Sequence, residues 1–285
     1  MDFTEPEHIE HWLGQLSQLE STHTAKIPSF LKPFHISTLA LTMRRNNAAY
    51  LNLPEETESF AITMNLYQAA GVYAPREVNR SRNGYIPVEL IREESNVDYF
   101  ADELVRILKD AIPNSFIAKD VHTMFLEIIG NCFHHSGEVG GIYGSVCAQV
   151  WPNGQKMQVV INDIGMGIRK SLGQNAHLSE ELRSKNCCAL ATEYGISGKL
   201  GHGHSGYGLF IARELIQQNN GMLALISGDE LFYFSSNTQT QKKISAPWSG
   251  TLLVLELNTD RPVDISKIYK DMPLPEGFSH DDFLN

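Results

Sequence analysis

The chain has 285 residues, a formal net charge of −10 at pH 7, and 42% hydrophobic residues. This length exceeds one typical domain, and the apolar fraction suffices for a substantial core. The negative charge argues against a nucleic-acid partner, because phosphate backbones are bound by clustered Lys and Arg. There is no run of 18 apolar residues, and the first residues are acidic, unlike a signal sequence. We therefore expect a cytoplasmic protein without a membrane partner.

The first 95 residues are predicted to form a small α/β domain. Residues 36–44 have the pattern of a helix, 48–53 that of a strand ending at Pro54, and 57–70 that of a second helix. This order resembles the small domain of anti-sigma-factor antagonists (STAS), although no phosphoacceptor serine can be nominated from it. A short strand over 85–91 is flanked by polar stretches, which are the candidate linkers.

A second segment predicts a buried helix with one polar stripe. Apolar residues recur between Phe125 and Phe133, whereas Glu127, Asn131 and His135 are spaced by four and share one face. Burying such groups costs about 1–3 kcal/mol for each one left unsatisfied, and a ligand would remove that cost. An amide oxygen can bind Mg²⁺, and a carboxylate one turn earlier can orient a nucleophile. The alternative is a solvent-exposed polar face.

A β-branched run ending in Asp163, Gly165 and Gly167 predicts a strand that leads into a loop. The glycines leave room for a flat ring, and the carboxylate can accept a hydrogen bond from an exocyclic amine. A strand followed by an ordinary turn is the alternative. Further on, Gly250 and Thr251 enter another strand, a pattern with little information of its own.

The segment from Gly201 to Leu209 is the most informative. Its glycines let backbone amides approach a polyphosphate, and the apolar periodicity that follows begins a helix whose N-terminus attracts anions. An ordinary glycine loop is the alternative. The two histidines of the loop, His202 and His204, are better explained by contact with phosphate or solvent than by metal binding.

In this order, the four motifs resemble the nucleotide-binding fold of the gyrase, heat-shock chaperone, histidine kinase and mismatch-repair ATPase superfamily (GHKL). The resemblance covers residues 98–258. It implies an α+β protein with a Bergerat-type α/β sandwich, in which helices cover a mixed sheet, over residues 96–258. An acidic tail over 259–285 would follow.

The resemblance also implies ATP and Mg²⁺ as cofactors and a role for each matching residue. Asp163 would accept from the adenine amine, Asn131 would hold Mg²⁺, and Glu127 would activate the attacking water or hydroxyl. His134 stands where many relatives have Lys or Arg, so its phosphate contact would depend on pH. The remaining cofactor-binding candidates are His135, Gly165, Gly167, Gly201, Gly203, His204, Ser205, Gly206, Tyr207, Gly208, Leu209 and Thr251.

Residues 168–200 would form a mobile lid over the phosphates. A short helix is predicted over 179–191, capped by Ser179, and the stretch 182–190 has too few apolar residues to dock permanently. We expect the lid to become ordered when nucleotide binds and to create a surface for a partner.

The sequence indicates a regulatory serine/threonine protein kinase of the anti-sigma type, with a protein partner or substrate that is STAS-like or encoded nearby. The alternative is an ATPase that acts as a conformational switch without phosphotransfer, and a homodimer is compatible with both. A sensor histidine kinase is disfavoured, because no two-helix dimerisation region with a phosphoacceptor histidine precedes the nucleotide motifs.

Overall fold

The computed structural model describes residues 2–22, 26–47, 53–76, 84–112, 119–136, 141–198, 206–236 and 238–272. They form an α+β fold around a five-stranded sheet with the strand order β1-β2-β3-β5-β4. The strands are β1 (Tyr85–Ile91), β2 (Gly144–Trp151), β3 (Lys156–Asn162), β4 (Met222–Ser235) and β5 (Thr238–Asn258).

All neighbouring strands in this described sheet are antiparallel. The prediction of a mixed sheet, with parallel and antiparallel pairs, is therefore wrong for the described strands. The reason is that apolar alternation predicts a strand without fixing its direction, which depends on where the intervening helices return the chain. The register places Val160 of β3 between Cys147 of β2 and Val254 of β5, so apolar residues from three strands meet on one face.

The first face of the sheet is covered mainly by helices that follow β1 in the chain. The core there includes Val159 and Ile161 of β3 together with Phe125 and Ile129, all less than 3% exposed. The helices that follow β1 are α5 (Ser95–Ala111), α6 (Lys119–Ser136), α7 (Ile168–Leu172), α8 (Ser179–Ser184), α9 (Cys187–Leu190), α10 (Gly208–Asn219) and α11 (Ile265–Asp271).

The opposite face is covered by four N-terminal helices. Phe34 and Leu39 belong to a core shared with Val160 and Val254 of the sheet. Here the indole N–H of Trp12 donates to the Thr38 hydroxyl at 2.8 Å, so the polar edge of this buried ring is satisfied. These helices are α1 (Pro6–Thr22), α2 (Pro33–Arg45), α3 (Glu55–Thr63) and α4 (Leu66–Ala70).

The elements predicted for the N-terminal part of the chain can be compared with these helices and strands. The helix expected over 36–44 lies within α2, whereas the one expected over 57–70 is divided into α3 and α4. The division occurs at Asn65, which has φ +64° and donates from its side chain to the Val88 carbonyl at 3.0 Å. Most of the strand expected over 48–53 lies outside the described residues. The sheet contains strands from both sides of the predicted limit at residue 95.

A buried carboxylate connects the N-terminus to the sheet. Glu256 on β5 is 2% exposed and accepts hydrogen bonds from the Thr4 hydroxyl at 2.6 Å and the Gln158 amide at 2.6 Å. The Lys32 ammonium lies 3.2 Å from it. These partners compensate for the cost of burying the charge.

Across the described residues, every helix is too short or too polar to cross a membrane.

Candidate functional site

Most of the predicted site residues that the structure describes line one cavity. It opens between α6, the end of β3, α7 and the start of α10, and it has a volume of about 900 Å³ including its mouth. The predicted residues lining it are Glu127, Asn131, Asp163, Gly167, Gly206, Gly208, Leu209 and Thr251.

Asp163 is a buried carboxylate in this cavity. It follows β3, is 4% exposed, and is held in place through its backbone: its N–H donates to the Thr251 carbonyl at 2.8 Å, and its own carbonyl accepts from the Trp248 indole at 2.8 Å. Burial raises the pKa of Asp163 to about 7, although hydrogen bonds from Gly165 and Thr251 act in the opposite direction. The cavity thus contains a carboxyl group that changes its charge near neutral pH.

Two glycines allow close backbone packing around the loop that follows Asp163. Gly250 has φ +92°, and a Cβ there would collide with the Asp163 carboxylate and with the backbone of Gly165. Gly167 has φ +76°, and its Cβ would lie 2.7 Å from the Ser227 hydroxyl. Both positions therefore require glycine for their backbone conformation and for the space they leave.

Ser227 joins these two loops. Its hydroxyl accepts from the Ile168 N–H at 2.8 Å and donates to the Gly250 carbonyl at 2.7 Å. Ser227 is 4% exposed. It was not predicted from the sequence, because it lies in the middle of β4 without a motif around it. Its bonds hold the loop after Asp163 against the start of the Thr251 segment.

Glu127 contacts the N-terminus of α10. One carboxylate oxygen, Oε2, accepts from the Gly208 N–H at 2.7 Å and from the Tyr207 N–H at 3.2 Å. The first N–H groups of a helix have no partner within the helix, so this carboxylate acts as a cap supplied by a different helix. Gly208 permits this approach, since a Cβ there would lie 2.9 Å from the Glu127 Cβ.

The other predicted residues fall into three groups. Asn131 lies one turn after Glu127 on α6 and is partly buried in the cavity wall. Gly165 contacts the Asp163 carboxylate through its N–H at 2.8 Å without lining the cavity, and the Tyr207 ring stacks on Tyr194 with centroids 4.9 Å apart. The side chains of His134 and His135, and all of Gly201, Gly203, His204 and Ser205, lie outside the described structure.

The segment expected to be a lid is largely docked. Leu172, Leu182 and Leu190 are each less than 9% exposed within the main core. The expectation that residues 182–190 cannot dock is wrong, because the small residues Cys187 and Cys188 also pack there, at 0% exposure. The helix expected over 179–191 is divided into α8 and α9.

An ion pair and a helix cap hold this segment in place. The Arg169 guanidinium makes two hydrogen bonds to the Glu230 carboxylate, each 2.7 Å, and the Asn186 side chain caps α9 by accepting from the Ala189 N–H at 3.0 Å. Within the expected lid, residues 199–200 lie outside the described structure.

The cavity wall also contains residues that the motifs did not indicate. Cys132 comes from α6, and Ser197 and Gly198 come from the end of the docked segment. Gly198 is close-packed, because a Cβ there would collide with the Ser171 carbonyl. Ile128 could have been anticipated from helix periodicity, and Ile161, Leu225 and Leu253 from the apolar pattern of strands, whereas Ser197 and Gly198 had no signal beyond a glycine in a loop. The apolar wall residues are Ile128, Ile161, Ile168, Leu172, Ala191, Ile196, Leu225 and Leu253.

The arrangement combines an apolar slot and a buried carboxylate with an amide and a carboxylate near a helix N-terminus. Such a cavity suits a flat ring with a donor group that continues into a charged portion. No protein-family model, no curated protein and no solved structure matches this chain.

Proposed function

We propose that this cavity binds Mg·ATP and that the chain is a GHKL protein with a Bergerat-type fold, acting as a regulatory serine/threonine kinase on a protein partner. The observation that carries the proposal is the convergence of motifs. Glu127 and Asn131, Asp163 and Gly167, Gly206 and Gly208, and Thr251 come from four separate parts of the chain and line one cavity. Each motif taken alone has an ordinary structural explanation, and their meeting at one cavity is what a ligand site requires.

The inner part of the cavity fits an adenine ring. Apolar walls accept the flat faces, and the Asp163 carboxylate accepts a hydrogen bond from the exocyclic amine. The raised pKa of Asp163 supports this assignment, because a buried carboxyl without a compensating cation is costly when ionised and gains from a ligand donor. Thr251, which hydrogen-bonds with the Asp163 carboxylate, would also lie beside the ring.

The outer part fits the phosphates and a hard cation. The Asn131 side-chain oxygen is a suitable ligand for Mg²⁺, whose other positions would be taken by phosphate oxygens and water. When bound, Mg²⁺ would neutralise phosphate charge during transfer of the terminal phosphoryl group. Glu127 lies one helical turn from Asn131, within the same cavity wall, where a carboxylate can accept a proton from an attacking hydroxyl.

The contact between Glu127 and α10 supports the second candidate, an ATP-driven conformational switch without phosphotransfer. Two backbone N–H groups already occupy Glu127 Oε2. The Glu127 carboxylate therefore connects the cavity to the start of α10. A nucleotide that breaks either of these hydrogen bonds would alter the position of that helix. Both candidates need Mg·ATP, so the fate of the terminal phosphate separates them.

Calorimetric titration with ATP in the presence of Mg²⁺ tests nucleotide binding. Asp163→Asn replaces an acceptor by a group that can present a donor, and we expect a loss of affinity of about 5- to 150-fold, equivalent to about 1–3 kcal/mol. Asp229→Asn is the matched control, since Asp229 is an exposed carboxylate paired with Lys243 outside the cavity wall. Equal affinities of both variants and the unchanged protein would remove Asp163 from the binding site.

A second experiment separates the two candidate functions. The protein is incubated with γ-labelled ATP and, in turn, with the proteins encoded next to it. Label on a serine or threonine of one of them identifies a kinase, whereas label recovered only as inorganic phosphate identifies an ATPase. The Glu127→Gln variant serves as the control for chemistry that depends on this carboxylate.

A further inference from the structure

Three metal-ligating side chains lie together on α5 and α6. Asp98 and Asp102 are one turn apart on α5, and His122 lies in the first turns of α6, which packs against α5. The nitrogen Nε2 of His122 is 3.5 Å from a carboxylate oxygen of Asp98 and 3.2 Å from one of Asp102. None of the three residues lines the nucleotide cavity.

The imidazole nitrogen of His122 has an unusual environment. The atom Nε2 is shielded from solvent, yet it makes no hydrogen bond to either neighbouring oxygen, despite their short distances. Because the two carboxylate oxygens lie near this shielded nitrogen without the alignment of a hydrogen bond, its hydrogen-bonding capacity is not used. A cation held between the nitrogen and the two oxygens would satisfy all three groups.

We infer that Asp98, Asp102 and His122 bind a divalent transition-metal ion, with Zn²⁺ as the best fit. Zinc bonds to imidazole nitrogen and carboxylate oxygen are about 2.0–2.2 Å long, and a tetrahedron with such bonds has edges of about 3.3–3.5 Å. The two nitrogen-to-oxygen distances lie close to this edge length. A set of one imidazole and two carboxylates also favours Zn²⁺ over Mg²⁺, which prefers oxygen ligands alone.

Three protein ligands leave a fourth position for water. The outer side of the site is open, since the Asp98 and Asp102 side chains are 72% and 71% exposed, whereas that of His122 is 23% exposed. The ion can therefore enter from solvent and exchange. Because its ligands come from two helices, it would join α5 to α6, the helix that also provides Glu127 and Asn131 to the cavity.

The test is calorimetric titration of the full chain with Zn²⁺, without nucleotide and without a histidine tag. We expect one binding site, and we expect affinity to fall at least tenfold in His122→Gln and in Asp102→Asn. His177→Gln, which removes an exposed histidine on the docked segment, is the matched control and retains binding. Asn131→Ala also retains it, so the result is independent of the Mg·ATP proposal.

Two further measurements complete the test. Substitution by Co²⁺ should give the visible absorption of a tetrahedral complex in the unchanged protein, and this absorption should be absent in His122→Gln. Zn²⁺ should raise the melting temperature of the unchanged protein and of His177→Gln, but not that of Asp102→Asn. Because Asp102 is exposed, its variant is expected to fold. Absence of Zn²⁺ binding to the unchanged protein, or equal binding to His122→Gln, would show that the three residues form only an ion pair.

Discussion

Replacement of Glu127 by Ala tests whether this carboxylate is a structural cap, a catalytic base, or both. The change removes two hydrogen bonds, at 2.7 and 3.2 Å, to the first N–H groups of α10. Loss of a helix cap costs about 0.5–2 kcal/mol, and hydrogen bonds to a charged acceptor are at the stronger end. We therefore expect Glu127→Ala to lower the free energy of unfolding by about 1–2 kcal/mol.

The measurement is urea denaturation followed by circular dichroism, at pH 7 and without nucleotide. Glu127→Gln keeps an oxygen acceptor at the same position but removes the charge, so it should lose less stability than Glu127→Ala. Glu103→Ala is the control outside the cavity: its carboxylate pairs with Arg106 within α5, and (i, i+3) pairs of this kind contribute less than about 1 kcal/mol. Any change in turnover is measured on the same samples.

The comparison of stability with turnover distinguishes the roles. A general base contributes about 10²–10⁴ to the rate, so Glu127→Gln should show that loss even where its stability is nearly unchanged. If Glu127→Ala unfolds at the same urea concentration as the unchanged protein, the hydrogen bonds to α10 do not stabilise the fold, and the capping argument is refuted. If turnover persists in both variants, the carboxylate has no chemical role.

Four other predictions follow from the geometry. The Asp163 carboxyl has a pKa of about 7 in the folded protein against an ordinary value of 3.8, so unfolding releases its proton between about pH 4 and 7. The free energy of unfolding should therefore fall as pH rises through this window, by up to about 1.4 kcal/mol per pH unit. Urea denaturation at a series of pH values should show a smaller dependence on pH in Asp163→Asn. Nucleotide affinity should increase with pH up to about 7, where the carboxylate becomes the stronger acceptor, and calorimetry should detect no such increase in that variant. Gly167→Ala should destabilise by about 1–3 kcal/mol in urea denaturation and more than Gly195→Ala, because both have positive φ but only Gly167 would contact Ser227. Arg169→Gln should cost about 1–3 kcal/mol in the same assay, because the buried Glu230 carboxylate would lose its half-exposed cationic partner and keep the hydrogen bond from the Cys187 N–H; a cost below about 1 kcal/mol would show that the docked segment does not depend on this ion pair.

The parts of the site that could be predicted from the sequence are those coded by local spacing. Glu127 and Asn131 share a helix face because they are four residues apart, and Asp163 follows a β-branched strand, both as expected from periodicity. The glycines at 167, 206 and 208 indicated tight backbone positions, and their surroundings confirm that there is little room for a side chain. These inferences needed only the local chain.

The remaining features depend on contacts between distant residues. Ser227 and Trp248 hold the site through hydrogen bonds to backbone groups more than 20 residues away, and neither belongs to a motif. The docking of residues 168–198 was missed for a related reason. Small side chains such as Cys187 contribute little to an apolar pattern, yet they pack completely when a facing strand accepts them. Local composition therefore underestimated the stability of this segment.

The cavity also depends on the N-terminal helices, although none of them lines it. The Ser37 hydroxyl on α2 donates to the Asn162 side chain at 3.0 Å, directly before Asp163 in the chain. Trp248 packs in the same core as these helices and donates to the Asp163 carbonyl. Asp163 is thus held on one side through Asn162 and Trp248, which contact the N-terminal layer or its core, and on the other side by hydrogen bonds with Gly165 and Thr251. The Ser37 hydroxyl therefore connects α2 to the residue that directly precedes the buried carboxylate.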